Sequence, residues 1–491
     1  MMKRVVIGAL MGALMVVTTG CSEECTDRFD CSDKGSAGEG KVWQCVNNKC
    51  QAENEPVTPP GNTDAGTDAG TGGGTDAGTD AGTGGGTDAG TDAGTPDMSI
   101  AEGSTCATTA SCMGGLYCDS TKKCAPLHIA VTTSTNNAVV VTYKAPSAAG
   151  GAPTAPASAT PLTDASTSRY PRWNKDGTAV AFVEGAEGIG STLVARTLPL
   201  TAGQRTELTN GTAADTTDFR YMEWAPSTYA VWSRTAASTG TTGLWYVGAG
   251  SAAQKLTDSG VFPSWSGDGN SVIYSGSGVG LQTRAVSGTT PAVPTTSTTT
   301  SEQPLYNRTN TVVLYLDAKG QTQAFGTEST PLTELYTSGS ATPLAARTEE
   351  TISGAAGPVR SFIANHTWAA GGTHVAYVRV YYTVPATGAV LCNGSNCGTR
   401  QGNVIYVRRV DGTGLPSDAT EWEFATEATL PSFSPDGRFM AYLSGGKLNV
   451  VGINPTATTA DTFKLSPVIS HAWGNVQSSR GDDNRPRWQP R

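Results

Sequence analysis

Charged side chains make up only 15 % of this 491-residue chain, and aromatics 7 %. Histidine occurs four times, at His128, His366, His374 and His471. The chain contains no G-x-S-x-G, no H-E-x-x-H and no G-x-x-x-x-G-K-[ST] phrase. These absences remove the serine-hydrolase elbow, the zincin helix and the Walker-type phosphate loop. Four scattered histidines read as packed or exposed structural residues. No catalytic residue, metal or cofactor is therefore expected. Beyond the N-terminus nothing is apolar and long enough to cross a bilayer as a helix. The net charge is −9, but residues 51–102 hold ten acidic and no basic side chains, which leaves the rest of the chain at +1. No basic face argues for nucleic acid.

What the chain has begins at its N-terminus. Lys3 and Arg4 precede an apolar run of 13 residues, Val5 to Val17, too short to span a bilayer. Thr18-Thr19-Gly20-Cys21 follows. This resembles the bacterial lipoprotein signal, which implies cleavage after residue 20 and lipidation of Cys21. Thr18 departs from the Leu usual in such signals. Ser22 in place of Asp points to the outer membrane, with the protein periplasmic or surface-exposed.

Cysteine arithmetic supports that reading. Eleven cysteines are an odd number for an exported chain. With Cys21 set aside, the rest group as Cys25, Cys31, Cys45 and Cys50; Cys106, Cys112, Cys118 and Cys124; and Cys392 with Cys397. Every group is even, as disulfides in an oxidising compartment require. Neither group of four carries the paired C-x2-C ligands of zinc ribbons. Each allows three pairings. The two resemble small EGF- or dickkopf-like modules, too short to hold together without bridges. Between them, residues 63–95 repeat TDAGTDAGTGGG, with no apolar side chain larger than Ala. The whole stretch of about 50 residues, 53–102, reads as a disordered linker with a span of roughly 40 Å.

The remainder is organised by a repeated phrase. It reads YPRWNKDGTAVAFV at 170–183, FPSWSGDGNSVIYS at 262–275 and LPSFSPDGRFMAYLS at 430–444. A Pro, an aromatic anchor, an Asp-Gly turn and an apolar strand recur in each. Asp-Gly is a strong short-hairpin signal because a tight turn needs positive φ. These turns explain Asp176, Asp268 and Asp436 without a metal. Weaker copies place further anchors, giving Trp173, Trp224, Trp265, Tyr306, Trp368, Phe433 and Trp488, spaced 41 to 65 residues apart. That is the spacing of four-stranded propeller blades.

The P-x-[WF]-S-x-D-G-x-x-[AIV] phrase resembles the TolB-type, WD40-like propeller repeat over about residues 127–491. The resemblance implies an all-β propeller of seven blades, with six the alternative. In the seven-blade form RPRWQPR at the C-terminus joins residues 127–163 in one blade, leaving no open edge. It also implies envelope partners such as a peptidoglycan-associated lipoprotein. The small α/β domain of TolB has no counterpart here, which separates the chain from TolB itself.

The expected organisation is a signal peptide over 1–20, a lipid anchor and first four-Cys module over 21–52, a linker over 53–102, a second four-Cys module over 103–126 and a propeller over 127–491. The expected role is non-enzymatic binding of an envelope protein or glycan, with membrane attachment through the lipid. The alternative is a polysaccharide lyase or glycosidase using paired carboxylates in the propeller channel. The loop closed by Cys392 and Cys397 is the candidate contact element.

Overall fold

In the computed structural model, each copy of the phrase folds into the first strand, turn and second strand of a small antiparallel sheet. The structure describes residues 41–46 and 49–54 and most of 100–490, with 143–158 and 384–399 among the stretches outside the description. Cys21, Cys25, Cys31, Cys392, Cys397, His471 and most of the linker fall outside it. No helix among the described residues is long and apolar enough to cross a membrane. The chain divides into two compact units, 1–86 and 87–491.

Within the first unit, strands Lys41–Val46 and Lys49–Asn54 form a hairpin that sets Cys45 opposite Cys50. In the second unit, strands Leu116–Cys118 and Cys124–Pro126 repeat that arrangement, with Cys118 opposite Cys124. The bridges there run Cys106–Cys118 and Cys112–Cys124. Both cystines sit with Leu116 and Ile100 in a small core. The module belongs to the same compact unit as the propeller, and the Arg438 guanidinium donates to the Cys112 carbonyl at 3.2 Å.

The propeller has seven blades. Blade 1 runs from Ser168–Trp173 through Ala179–Glu184 and Thr192–Thr197 to Arg205–Glu207. Blades 2 to 6 open with Thr217–Trp224, Val261–Trp265, Ser301–Tyr306, Val359–Trp368 and Ala428–Phe433. Blade 7 joins the two ends of the domain. Its strand order is Arg487–Trp488, His128–Thr132, Ala138–Thr142, Thr160–Pro161. The six-blade alternative is thereby set aside, because residues 128–161 complete a blade. Blade 4 carries an inserted hairpin, Thr322–Phe325 with Glu328–Pro331, and blade 5 an additional strand, Thr348–Glu350.

Alternation within the second strands explains why the ring closes. Side chains of a strand point to opposite faces in turn. Ala181 and Val183 meet Phe219 and Trp232 of blade 2, whereas Val180 and Phe182 meet Ala130 and Val140 of blade 7. Every blade therefore contributes to two cores. Seven inter-blade cores complete the circle, the last joining Phe439 and Leu443 of blade 6 to Ile129 and Trp488 of blade 7.

The turns differ in detail from a two-residue hairpin. Asn174, Ser266, Ala369 and Ser434 each donate a backbone N–H to the carbonyl five residues on, at 2.9–3.0 Å. In the turn after Trp265 only Gly269 has positive φ (72°), and Asp268 accepts from the Ser266 hydroxyl and the Asn270 amide. The aspartate caps the turn, and the glycine alone takes the left-handed position.

The anchors show why the phrase prefers tryptophan. The indole N–H of each anchor donates to the carbonyl of the residue before the anchor in the preceding blade. The bonds are Trp173 to Arg487 (2.9 Å), Trp224 to Arg172 (3.3 Å), Trp265 to Glu223 (3.2 Å), Trp368 to Leu305 (3.1 Å) and Trp488 to Ser432 (3.0 Å). Five of the seven junctions are stitched in this way; Tyr306 and Phe433 stand at the other two. Replacing Trp265 by Phe keeps the ring packing but strips the Glu223 carbonyl of this donor. The expected cost is about 1–3 kcal/mol, read by urea denaturation. An unchanged midpoint would show that the stitch contributes nothing.

Candidate functional site

Counting back from each anchor locates the central cleft. In blades 1 to 6 the first strand carries a bulge at one fixed place. In blade 1, Arg169 pairs with Val183 and Arg172 with Ala181, so Tyr170 and Pro171 together oppose one residue. The same break falls between Arg220 and Glu223, Val261 and Ser264, Glu302 and Leu305, Ala364 and Thr367, and Thr429 and Ser432. A bulge of this kind bends the strand and re-aims its side chains.

The first bulged residue has left-handed backbone in all six: Tyr170 (φ 56°), Tyr221 (51°), Phe262 (52°), Gln303 (52°), Asn365 (46°) and Leu430 (54°). Such a conformation costs a non-glycine residue about 1–2 kcal/mol. Neighbouring blades support it. The Tyr170 amide donates to the Thr132 hydroxyl at 3.0 Å and the Gln303 amide to Ser275 at 2.9 Å. The second bulged residue is the Pro of the phrase in four blades. A ladder N–H has no partner across a bulge, and proline has none to lose.

The residues three, two and one before the anchors line a small cleft, open to solvent, where the first strands converge. Tyr221, Phe262, Gln303 and Arg485 come from the third position back; Pro263, Pro304 and His366 from the second; Arg172, Glu223, Leu305 and Arg487 from the first. Two of the three arginines flank the one carboxylate. Glu223 lies 3.0 Å from Arg487 Nη1 and 3.6 Å from Arg172 Nε. The rings of Tyr221 and Phe262 stand 4.1 Å apart, tilted by 47°. Both are partly exposed. The cleft is a cationic pocket with an aromatic wall.

The other singled-out residues lie elsewhere. His374 is buried among Trp422 and Phe463, with Nδ1 3.0 Å from the Thr373 hydroxyl. His128 stacks on Trp173. His366 alone of the described histidines lines the cleft. Among the described residues, the one grouping of His, Cys, Asp and Glu side chains close enough to share an ion is Cys106, Cys112 and Cys124, already engaged as cystines.

Sequence reasoning identified the anchors and passed over the cleft. The signal was present: reading the columns before the anchors gathers Arg172, Arg487, Glu223 and Arg485 without any structure.

No protein-family model matches the chain, and no curated protein matches it. Among solved structures it is similar to TolB from Acinetobacter baumannii, at 14 % identity over 74 % of this chain and 66 % of that one, with a TM-score of 0.36. The chain therefore spans just under two thirds of that TolB. It is also similar to a periplasmic gluconolactonase from Pseudomonas aeruginosa (12 % identity, 72 % and 97 % covered, TM-score 0.42). A third similar structure is the oligogalacturonate lyase from Vibrio parahaemolyticus (13 % identity, 73 % and 88 % covered, TM-score 0.38). Likeness at this level carries no function across.

Proposed function

We propose that this chain is a cell-envelope lipoprotein whose propeller binds an envelope protein or glycan at its central cleft without altering it chemically. One observation carries the binding reading. Glu223 is the only carboxylate lining the cleft among the described residues, and it sits between Arg172 and Arg487. Glycoside hydrolysis needs two carboxylates flanking the bond, with one free to give up a proton. A carboxylate held between guanidiniums suits recognition better than proton transfer. The rigid ring with side chains gathered at its axis is a suitable platform for it.

The lipoprotein reading rests on Lys3, Arg4, the apolar run and Cys21. Replacing Cys21 by Ser is expected to move the protein from the membrane to the soluble fraction, followed by fractionation and immunoblotting. Retention in membranes would sink the anchor. Cross-linking in intact cells, with a C-terminally tagged protein, tests the binding role. Recovery of one or a few defined envelope proteins supports a protein ligand.

A lyase remains the second reading because His366 shares the cleft with three guanidiniums. A base beside cations that neutralise a carboxylate is the minimum for elimination next to that carboxylate.

A further inference from the structure

We infer that the first four-Cys module is bridged Cys25 to Cys45 and Cys31 to Cys50, which leaves Cys21 outside both disulfides. Four cysteines allow three pairings, and their sequence alone chooses none of them. The second module supplies the choice. There Cys118 and Cys124 stand directly opposite each other on the two strands of a hairpin. They are not joined to each other. Cys118 bonds back to Cys106 and Cys124 back to Cys112, each across a separation of 12.

The first module repeats the parts of that arrangement. Its hairpin, Lys41–Val46 with Lys49–Asn54, sets Cys45 opposite Cys50. Ahead of the hairpin, Cys25 and Cys31 are six positions apart, as are Cys106 and Cys112. The last cysteine follows Asn48-Lys49 in one module and Lys122-Lys123 in the other. Cys45 therefore corresponds to Cys118, and Cys50 to Cys124. Chain entropy argues against the pairing within the hairpin. A Cys45–Cys50 bridge closes a loop of five positions, whereas Cys25–Cys45 and Cys31–Cys50 close loops of 20 and 19. Longer loops take more entropy from the unfolded chain, and a module this short depends on its bridges. The remaining choice, first with fourth, is set aside by the order seen in Cys106–Cys118 and Cys112–Cys124.

Each bridge forms when two thiols pass two electrons and two protons to an oxidant that itself carries a disulfide and is reduced to two thiols. Five cysteines precede the linker, and the two bridges use four of them. Cys21 keeps its thiol for the lipid of the proposed anchor. The pairing itself does not rest on that anchor.

The test is peptide mapping of the full-length protein from an exporting bacterial host, with free thiols blocked by N-ethylmaleimide before digestion without reductant. Trypsin and a glutamate-specific protease cut after Glu24, Arg28, Lys34, Lys41, Lys49 and Glu53, so each cysteine from Cys21 to Cys50 falls on its own peptide. The expected products are 25–28 joined to 42–49, and 29–34 joined to 50–53. A bridge from Cys45 to Cys50, from Cys25 to Cys50 or from Cys21 to any of the four would overturn the inference. So would a blocked thiol at any of the four. Cys25→Ser should leave one blocked thiol, at Cys45, with the Cys31–Cys50 bridge kept; a blocked thiol at Cys50 instead would overturn the assignment as well. Cys21→Ser should keep both bridges, so a failed anchor and a failed pairing give different results.

Discussion

Replacing Trp488 by Ala should destabilise the propeller by about 3–5 kcal/mol, the range for emptying a buried large aromatic site. Trp488 is 6 % exposed and packs its ring against Phe439 at 6.2 Å between centroids. Its indole donates to the Ser432 carbonyl. It also lies in a strand of only two residues, Arg487–Trp488, which pairs with Ile129 and Ala130. Beside it, the Gln489 amide nitrogen Nε2 donates to the Gly177 carbonyl at 2.7 Å and the backbone N–H to His128 at 2.8 Å. Losing this strand would leave the edge of residues 128–132 unpaired, a template for association between chains. Thermal melting and size exclusion should both respond, the first by a lower transition and the second by the appearance of oligomers. A variant that melts like the parent as a monomer would show that the ring does not depend on this closure.

Lowering the pH from 6.5 to 4 should remove on the order of 3 kcal/mol through His374 alone. Burial pushes its pKa down from 6.5 to about 4, and the nearby Arg409 charge adds to the effect. In the unfolded chain the imidazole takes a proton near its ordinary value; in the folded chain it resists. The unfolded state therefore binds more protons throughout this window, and stability falls as pH falls. Above 6.5 the contribution is fully present. His128, also pushed down by burial, acts in the same direction. His374→Phe, which keeps a ring beside Trp422 and Phe463, should flatten the dependence between pH 6.5 and 4. An unaltered profile would assign the acid sensitivity to other groups.

The architecture was legible because its signals are local. Asp-Gly turns, anchor aromatics and β-branched strands sit within one short phrase, and each copy repeats them. Even the degenerate copies placed strands near their observed positions. After the anchor Tyr306 the apolar run Val312 to Leu316 gives the strand Val313–Asp317, and after Trp368 the run His374 to Val378 gives the strand His374–Thr383. The joining of the C-terminal strand to residues 127–163 was also legible, since each piece lacked what the other supplied. What stayed hidden depends on contacts between copies. The left-handed backbone at Tyr170 or Gln303 has no glycine to announce it, because a hydroxyl of the neighbouring blade supports it. The convergence of Arg172, Glu223 and Arg487 joins positions far apart in sequence. The pairing of Cys106 with Cys118 was one of three equal choices in the sequence.

The bulge has one more consequence, which concerns direction. Because the first strands break at a common place, the mouth of the ring is a sequence of side chains read around a circle, and that sequence is not symmetric. Arg485, Arg487 and Arg172 belong to blades 7 and 1, the neighbours that meet where the two ends of the domain join. Across the axis, blades 3 and 4 offer Phe262, Ser264, Gln303 and Leu305 at the equivalent places. Any elongated molecule with charge at one end meets a compass rather than a uniform rim. Its polarity along the cleft is set by the seam of the ring.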